Sequence, residues 1–79
     1  ATVEQGQGEV LEIGILPEFD GKKIMDLKFP TPAIVGTIQR RGKVIIPNGL
    51  TELKYNDTLI IFTKAEDAQF IKDFFKGGV

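Results

Sequence analysis

Pro47-Asn48-Gly49-Leu50-Thr51-Glu52-Leu53-Lys54-Tyr55-Asn56-Asp57 runs directly into the apolar block Leu59-Ile60-Ile61-Phe62. Proline presets its own backbone, and Asn and Gly accept the conformations that a reversal needs, so Pro47-Asn48-Gly49 reads as a turn. Asn56-Asp57 reads as a second, tighter one. Leu53 stands between them as an apolar residue in polar company, which suits a plug dropped into the core from a loop. The apolar block then fits a strand over Thr58 to Thr63, central in its sheet and covered on both faces.

Upstream, Ala33 to Gln39 and Lys43 to Ile46 are β-rich runs joined by Arg40-Arg41-Gly42, a short glycine-containing loop that predicts a hairpin. Pro30 and Pro32 stop whatever precedes it. Glu9 to Leu16 alternates Leu11, Ile13 and Ile15 with Val10, Glu12 and Gly14, so it reads as a strand closed by Pro17. Between them Asp20 suits an N-cap, and Gly21 to Leu27 is expected to form a short helix carrying Ile24 and Leu27 on one face. Downstream, Thr63 and Glu66 have the spacing of a capping box that opens a helix over 64–76. Phe70, Ile71, Phe74 and Phe75 fall on one stripe of it, and Gly77-Gly78 ends it. The order β-α-β-β-β-α implies an α+β fold, an antiparallel β-sheet with two helices. Residues 1–8, rich in Gly and Gln, read as a flexible lead-in or linker, leaving 9–79 as the folded domain.

A chain of 79 residues is one domain whose core alone gives modest stability, so a second copy or a partner surface would help. Cysteine, histidine and serine are all absent. That removes disulfides, the common proton shuttle, the common activated nucleophiles and the usual transition-metal ligands together, so no enzyme, no metal site and no cofactor is expected in this fragment. Glu66 and Asp67 sit where negative charge complements a helix dipole, which accounts for them structurally. Gly6 and Gly8 lack the third glycine and the following helix of a dinucleotide loop. The apolar runs are too short to span a membrane, the chain reads as soluble without a signal peptide, and its start at Ala1 suggests a piece of something longer. A net charge of −1 speaks against nucleic acid as a partner. Charge is nevertheless uneven: Lys22, Lys23, Lys28, Arg40, Arg41 and Lys43 share the segment 22–43 with Asp26 alone, which fits a solvated surface or an anion site.

These residues resemble the RCK-C, or TrkA-C, domain of potassium-transport proteins. Pro47, Gly49, Thr51, Leu53, Asp57 and Leu59 to Phe62 fall in that family's register. So do Gly8 to Ile13, Gly21-Lys22, Asp26-Leu27, Pro30, Ala33 to Gly36 and Arg40 to Gly42, and the resemblance runs from Gly8 to Phe75. Gly21, Pro47, Gly49, Leu53, Asn56 and Asp57 are its structural positions. Asn56 replaces a preferred Gly, a mild change because Asn tolerates left-handed backbone. Leu50 stands where an acidic residue is usual.

The resemblance implies a cytoplasmic regulatory domain, peripheral to the membrane through a potassium channel or transporter, working as a homodimer and often following a Rossmann-type nucleotide-binding domain in the same chain. Some members bind cyclic di-AMP between the two copies through aliphatic residues, an Asp-x-Arg pair, an Asn and a proline. The corresponding positions here are Asp26, Lys28, Ile34 and Pro47, with Arg40 in the nearby basic cluster. Lys28 keeps the cation without the bidentate fork of Arg, and Ile34 cannot make the hydrogen bond of Asn, so cyclic di-AMP is expected to bind weakly and the nucleotide effector stays unidentified. The alternatives are a purely structural dimerisation module whose signal is sensed by a separate Rossmann-type domain, the regulatory domain of a different ion transporter, and an unrelated small β-rich adaptor.

Overall fold

In a computed structural model describing residues 7–77, the apolar block forms the middle of a sheet. Strands β1 (Gly8–Gly14), β2 (Ala33–Arg40), β3 (Lys43–Ile45) and β4 (Thr58–Lys64) lie in the order β1-β4-β2-β3, all neighbours antiparallel, and helix α1 (Ala68–Gly77) follows. Both edges of β4 are used: it pairs with β1 from Gly8↔Lys64 to Gly14↔Thr58 and with β2 from Ala33↔Thr63 to Gln39↔Thr58. The hairpin turns through Arg41 and Gly42 at φ 52° and 77°, the left-handed pair of a two-residue turn whose twist matches the strands.

The α+β class and the central place of β4 agree with the sequence, but the first helix does not form. Pro17–Phe19 and Ile24–Asp26 are single 3-10 turns on either side of Gly21, whose φ of 87° no right-handed helix passes through. Asp20 therefore caps no helix N-terminus; its carboxylate accepts the Tyr55 N–H at 2.7 Å. A longer-range pairing outcompetes the helix. Gly21 N donates to Leu53 O and Leu53 N to Lys22 O, while Ile24 N and Met25 N donate to Thr51 O and Gly49 O, so this segment runs against the 49–53 loop.

The expected capping box is also absent. The Thr63 hydroxyl donates to Pro32 O at 3.0 Å, Ala65–Asp67 forms a 3-10 turn without a side-chain cap, and α1 begins only at Ala68. Ile71 and Phe75 face inward as expected, and Phe74 packs its ring 5.9 Å from Phe19 and 5.3 Å from Phe29. Phe70 leaves the stripe: it is 57% exposed, because a stripe of this width on a ten-residue helix turns one aromatic out of reach of the sheet.

All of this packing lies on one side of the sheet. Leu11, Ile15, Ile38, Leu59 and Ile61 meet Ile71, Phe75, Phe19 and Leu53 in a single core. The alternate residues face the other side, where no element packs among the described residues, so β4 is covered on one face only. Ile60 there is half-buried and Phe62 is 47% exposed.

A β-bulge at Gly36, between Val35 and Thr37, brings the Phe62 ring against the β2 backbone. A Cβ at Gly36 would collide with that ring edge. Gly36→Ala should therefore swing Phe62 off the sheet at a cost of about 1 kcal/mol, the low end for overpacking because the ring has open space to move into. Urea denaturation reads the cost, and loss of the ring-current shift at residue 36 reads the displacement.

Candidate functional site

The helix-free face is built by strand alternation. Pairs Val10↔Phe62 and Ile34↔Phe62 set β1, β4 and β2 side chains in one row, and Gln39↔Val44 continues the same side onto β3. Val10, Ile34, Val44, Ile46 and Phe62 are exposed by 57, 68, 64, 76 and 47%. Val10, Phe62 and Ile34 make an exposed apolar row across three strands, with Glu12, Thr37, Thr58 and Gln39 facing the same side between it and Val44, and such an exposed apolar area marks a protein interface.

Of the positions singled out in the sequence, Ile34 lies on this face. Asp26 is exposed in the second 3-10 turn, Lys28 is exposed just beyond it, and Pro47 is half-buried after β3. The Met25 N–H bonded to Gly49 O at 2.9 Å ties the Asp26 turn to the Pro47 loop. In that loop Asn48 Oδ1 accepts the Leu50 N–H and Thr51 Oγ1 accepts the Asn48 N–H, so the turn holds itself. The structure thus links the Asp26 turn to the Pro47 loop, while Ile34 sits near the start of β2.

Arg40 does not join them. It ends β2, about 23 Å along the strand from Ala33 at the usual rise per residue. Its Nε and Nη2 donate to Asp57 Oδ1 and Oδ2 at 2.8 and 2.7 Å, and Nη2 also donates to Glu52 O at 2.9 Å. Asp57, 1% exposed, takes a further hydrogen bond from Lys54 N. Burial pushes the Asp57 carboxyl upward, but the hydrogen bonds from Arg40 and Lys54 N and the charges of Arg40 and Lys54 outweigh it and hold the group below the usual carboxylate range. The same bond to Asp57 raises the Arg40 guanidinium. Asn56, at φ 75°, occupies the left-handed position that the sequence anticipated, and Leu53 is 0% exposed. The open apolar face and the Arg40–Asp57 pair escaped the sequence reading.

A family profile described as the TrkA-C domain matches residues 10–76. This chain belongs to the TrkA-C domain family. Among curated proteins the TrkA-C domain is similar to a Trk system potassium uptake protein TrkA homolog of Archaeoglobus fulgidus, 34% identical over 76 residues. That match covers 94% of this chain and 17% of the relative. It is likewise similar to a Trk system potassium uptake protein TrkA homolog 1 of Methanosarcina mazei, 32% identical over 73 residues, covering 90% and 18%. The chain therefore spans less than a fifth of the length of these relatives. Among solved structures, an RCK domain with cda superposes with TM-score 0.75 at 25% identity, covering 84% of this chain and 96% of that one. The RCK C domain of the potassium transport protein KtrA, in complex with c-di-AMP, gives 0.75 at 23% over 84% and 81%, and a GsuK channel bound to NAD gives 0.77 at 20% over 89% and 14%. The last two share the fold. No helix among the described residues is long and apolar enough to cross a membrane.

Proposed function

We propose that this TrkA-C domain is a non-catalytic regulatory module of a potassium transport system, cytoplasmic and attached to the membrane through a channel or transporter partner. It acts as a homodimer whose two copies meet through their helix-free sheet faces. The observation that carries the reading is that open face, in a chain of TrkA-C sequence too small for its own core to give much stability. A standard interface needs about 800 Å² from each partner, roughly a sixth of this chain's 5141 Å² of surface, and one apolar face of a four-stranded sheet is of that order. A two-fold axis through the face makes the contact self-complementary.

A ligand that binds one dimer geometry better than another shifts the population toward it by its differential affinity, and the attached transporter reads that shift. The KtrA RCK C domain, solved with c-di-AMP, and Asp26, Lys28, Ile34 and Pro47 in the family's register support an anionic nucleotide between the copies. The second reading, a structural dimerisation module whose signal comes from a Rossmann-type domain elsewhere in a longer protein, is favoured by Ile34. An aliphatic side chain 68% exposed at the position of a polar contact serves an interface better than a ligand.

Sedimentation equilibrium at micromolar concentration should give a dimer, and Ile34→Glu with Phe62→Glu should give a folded monomer, since charge is costly in an apolar contact and harmless in water. A monomeric wild type would end the dimer mechanism. Calorimetric titration against a nucleotide panel that includes cyclic di-AMP then separates the two readings: heat from any member that disappears in Lys28→Glu supports the ligand sensor, and no heat across the panel supports the structural module.

A further inference from the structure

A cleft lies at the tip of the hairpin. It has a volume of about 670 Å³ and is lined by Asp20, Arg40, Arg41, Lys54, Tyr55 and Asn56, with Asp57 at its floor. Its size falls within the range of small-molecule sites, roughly 300–1,000 Å³. Three cations and two carboxylates line it, and one of the carboxylates, Asp57, is paired with Arg40. Asp57 accepts from Arg40 and from Lys54 N, and Asp20 accepts from Tyr55 N. Arg41 has no carboxylate partner among the described residues, and Lys54 holds only the exposed Glu52 at 3.3 Å. Asp20 keeps its charge, so three cations against two carboxylates leave the lining with a net charge of +1.

The walls are fixed in advance. Arg40 ties the hairpin to the 54–57 turn through Asp57 and to the preceding loop through Glu52 O, and Asn56 N donates to Ile15 O at 3.1 Å. Arg41 occupies the first left-handed position of its turn at φ 52°, a place where Asn, Asp or Gly is strongly preferred. Arg41 lines the cleft from this sparsely populated backbone position, and such positions collect at ligand sites. Tyr55, 53% exposed, adds a ring face beside the two cations.

We propose that this cleft binds a mononucleotide, with Arg41 and Lys54 taking the phosphate and the Tyr55 ring stacking on the base. The site is complete within one copy, so it does not depend on the dimer proposed above. Guanidinium and ammonium together match a doubly charged phosphate monoester, and an aromatic face accepts any base without hydrogen-bond readout.

The test is amide chemical-shift titration of the isotopically labelled chain with AMP, inorganic phosphate and adenosine in parallel. AMP is expected to move Arg41, Gly42, Tyr55 and Asn56, phosphate to move Arg41 and Gly42 with at least tenfold weaker affinity, and adenosine to move none of them. Arg41→Asn removes the guanidinium while suiting the turn, so it should weaken AMP at least tenfold with no loss of melting temperature. Tyr55→Leu should bring AMP down to the affinity of phosphate. Absence of AMP shifts at the hairpin tip, adenosine binding as well as AMP, or phosphate binding as tightly as AMP would each overturn the assignment. Shifts confined to Asp26, Lys28 and Ile34 would do the same while leaving the dimer-cleft reading standing.

Discussion

Arg40→Ala is expected to lower the unfolding free energy at neutral pH by about 3 kcal/mol, the low end for breaking a buried pair by removing one partner. The low end applies because the Arg40 side chain is 28% exposed while Asp57 is 1% exposed. Removing the guanidinium leaves the Asp57 carboxylate in the interior with the Lys54 N–H as its remaining hydrogen bond, while the exposed Glu52 O passes to water. The pH dependence identifies the cause. In the wild type the folded carboxyl lies below its ordinary value, near 3.9, so its contribution is complete above that value and is lost as pH falls through the lower folded one. In Arg40→Ala the burial penalty persists with only the Lys54 N–H and charge against it, so the carboxyl shifts upward from its wild-type position and protonation relieves the variant. The deficit against wild type should therefore shrink between pH 7 and pH 3 in urea denaturation. Equal deficits at both pH values would show that Arg40 matters through packing of its stem and not through Asp57.

The same pair shows where sequence reading stops. Asp57 was legible as a turn residue and Arg40 as a cation, but 17 positions separate them and nothing local to either announces the other. Read as surface, Arg40 looked available to a ligand; the structure commits its fork to a carboxylate and a carbonyl. A buried aspartate at the mouth of a central strand requires a cation or several N–H donors. That requirement was the one available signal. Asp26, Lys28, Ile34 and Pro47 were singled out by register with a family; Ile34 lies on the open face, and the Met25 N–H to Gly49 O bond ties the Asp26 turn to the Pro47 loop. The open apolar face was hidden for a different reason. Leu59 and Ile61 point inward, Ile60 and Phe62 outward, and all four are apolar, so the strand reads alike whether its far side meets a helix or is left open.

Element type was legible wherever the determinant is local. The hairpin follows from a glycine beside β-rich runs, and the Asn56 turn from a side chain that tolerates positive φ. Errors came where a distant partner decides. Ile24 and Leu27 have helical spacing, yet the backbone of 21–25 is satisfied by the 49–53 loop, and Gly21 takes a conformation that a helix excludes. Thr63 and Glu66 have capping-box spacing, yet the Thr63 hydroxyl is taken by Pro32 O, so α1 starts later than its sequence signal.

Leu53 is the residue on which the two halves of the chain lock, and Leu53→Ala is expected to cost about 3–5 kcal/mol, the upper part of the range for a leucine deleted from a core. The position within that range follows from the backbone. A cavity is cheap where the chain can relax into it, but Leu53 N donates to Lys22 O and Leu53 O accepts from Gly21 N, at 2.8 and 2.7 Å, so the loop is held on both sides of the missing side chain. The side chain itself is 0% exposed and packs in the same core as Leu59, Ile61 and Phe19. Two neighbours provide the contrast. Leu50, in the same loop but 66% exposed, should cost under about 0.5 kcal/mol when changed to Ala, as surface positions do. Leu53→Met, which keeps the volume, should cost less than about 1.5 kcal/mol. Urea denaturation of the three variants at fixed protein concentration, so that any dimer contribution is constant, checks all of them. A Leu53→Ala loss near that of Leu50→Ala would mean that the loop collapses freely, and that the pairing of 21–25 with 49–53 does not hold the 3-10 turns in place of a helix.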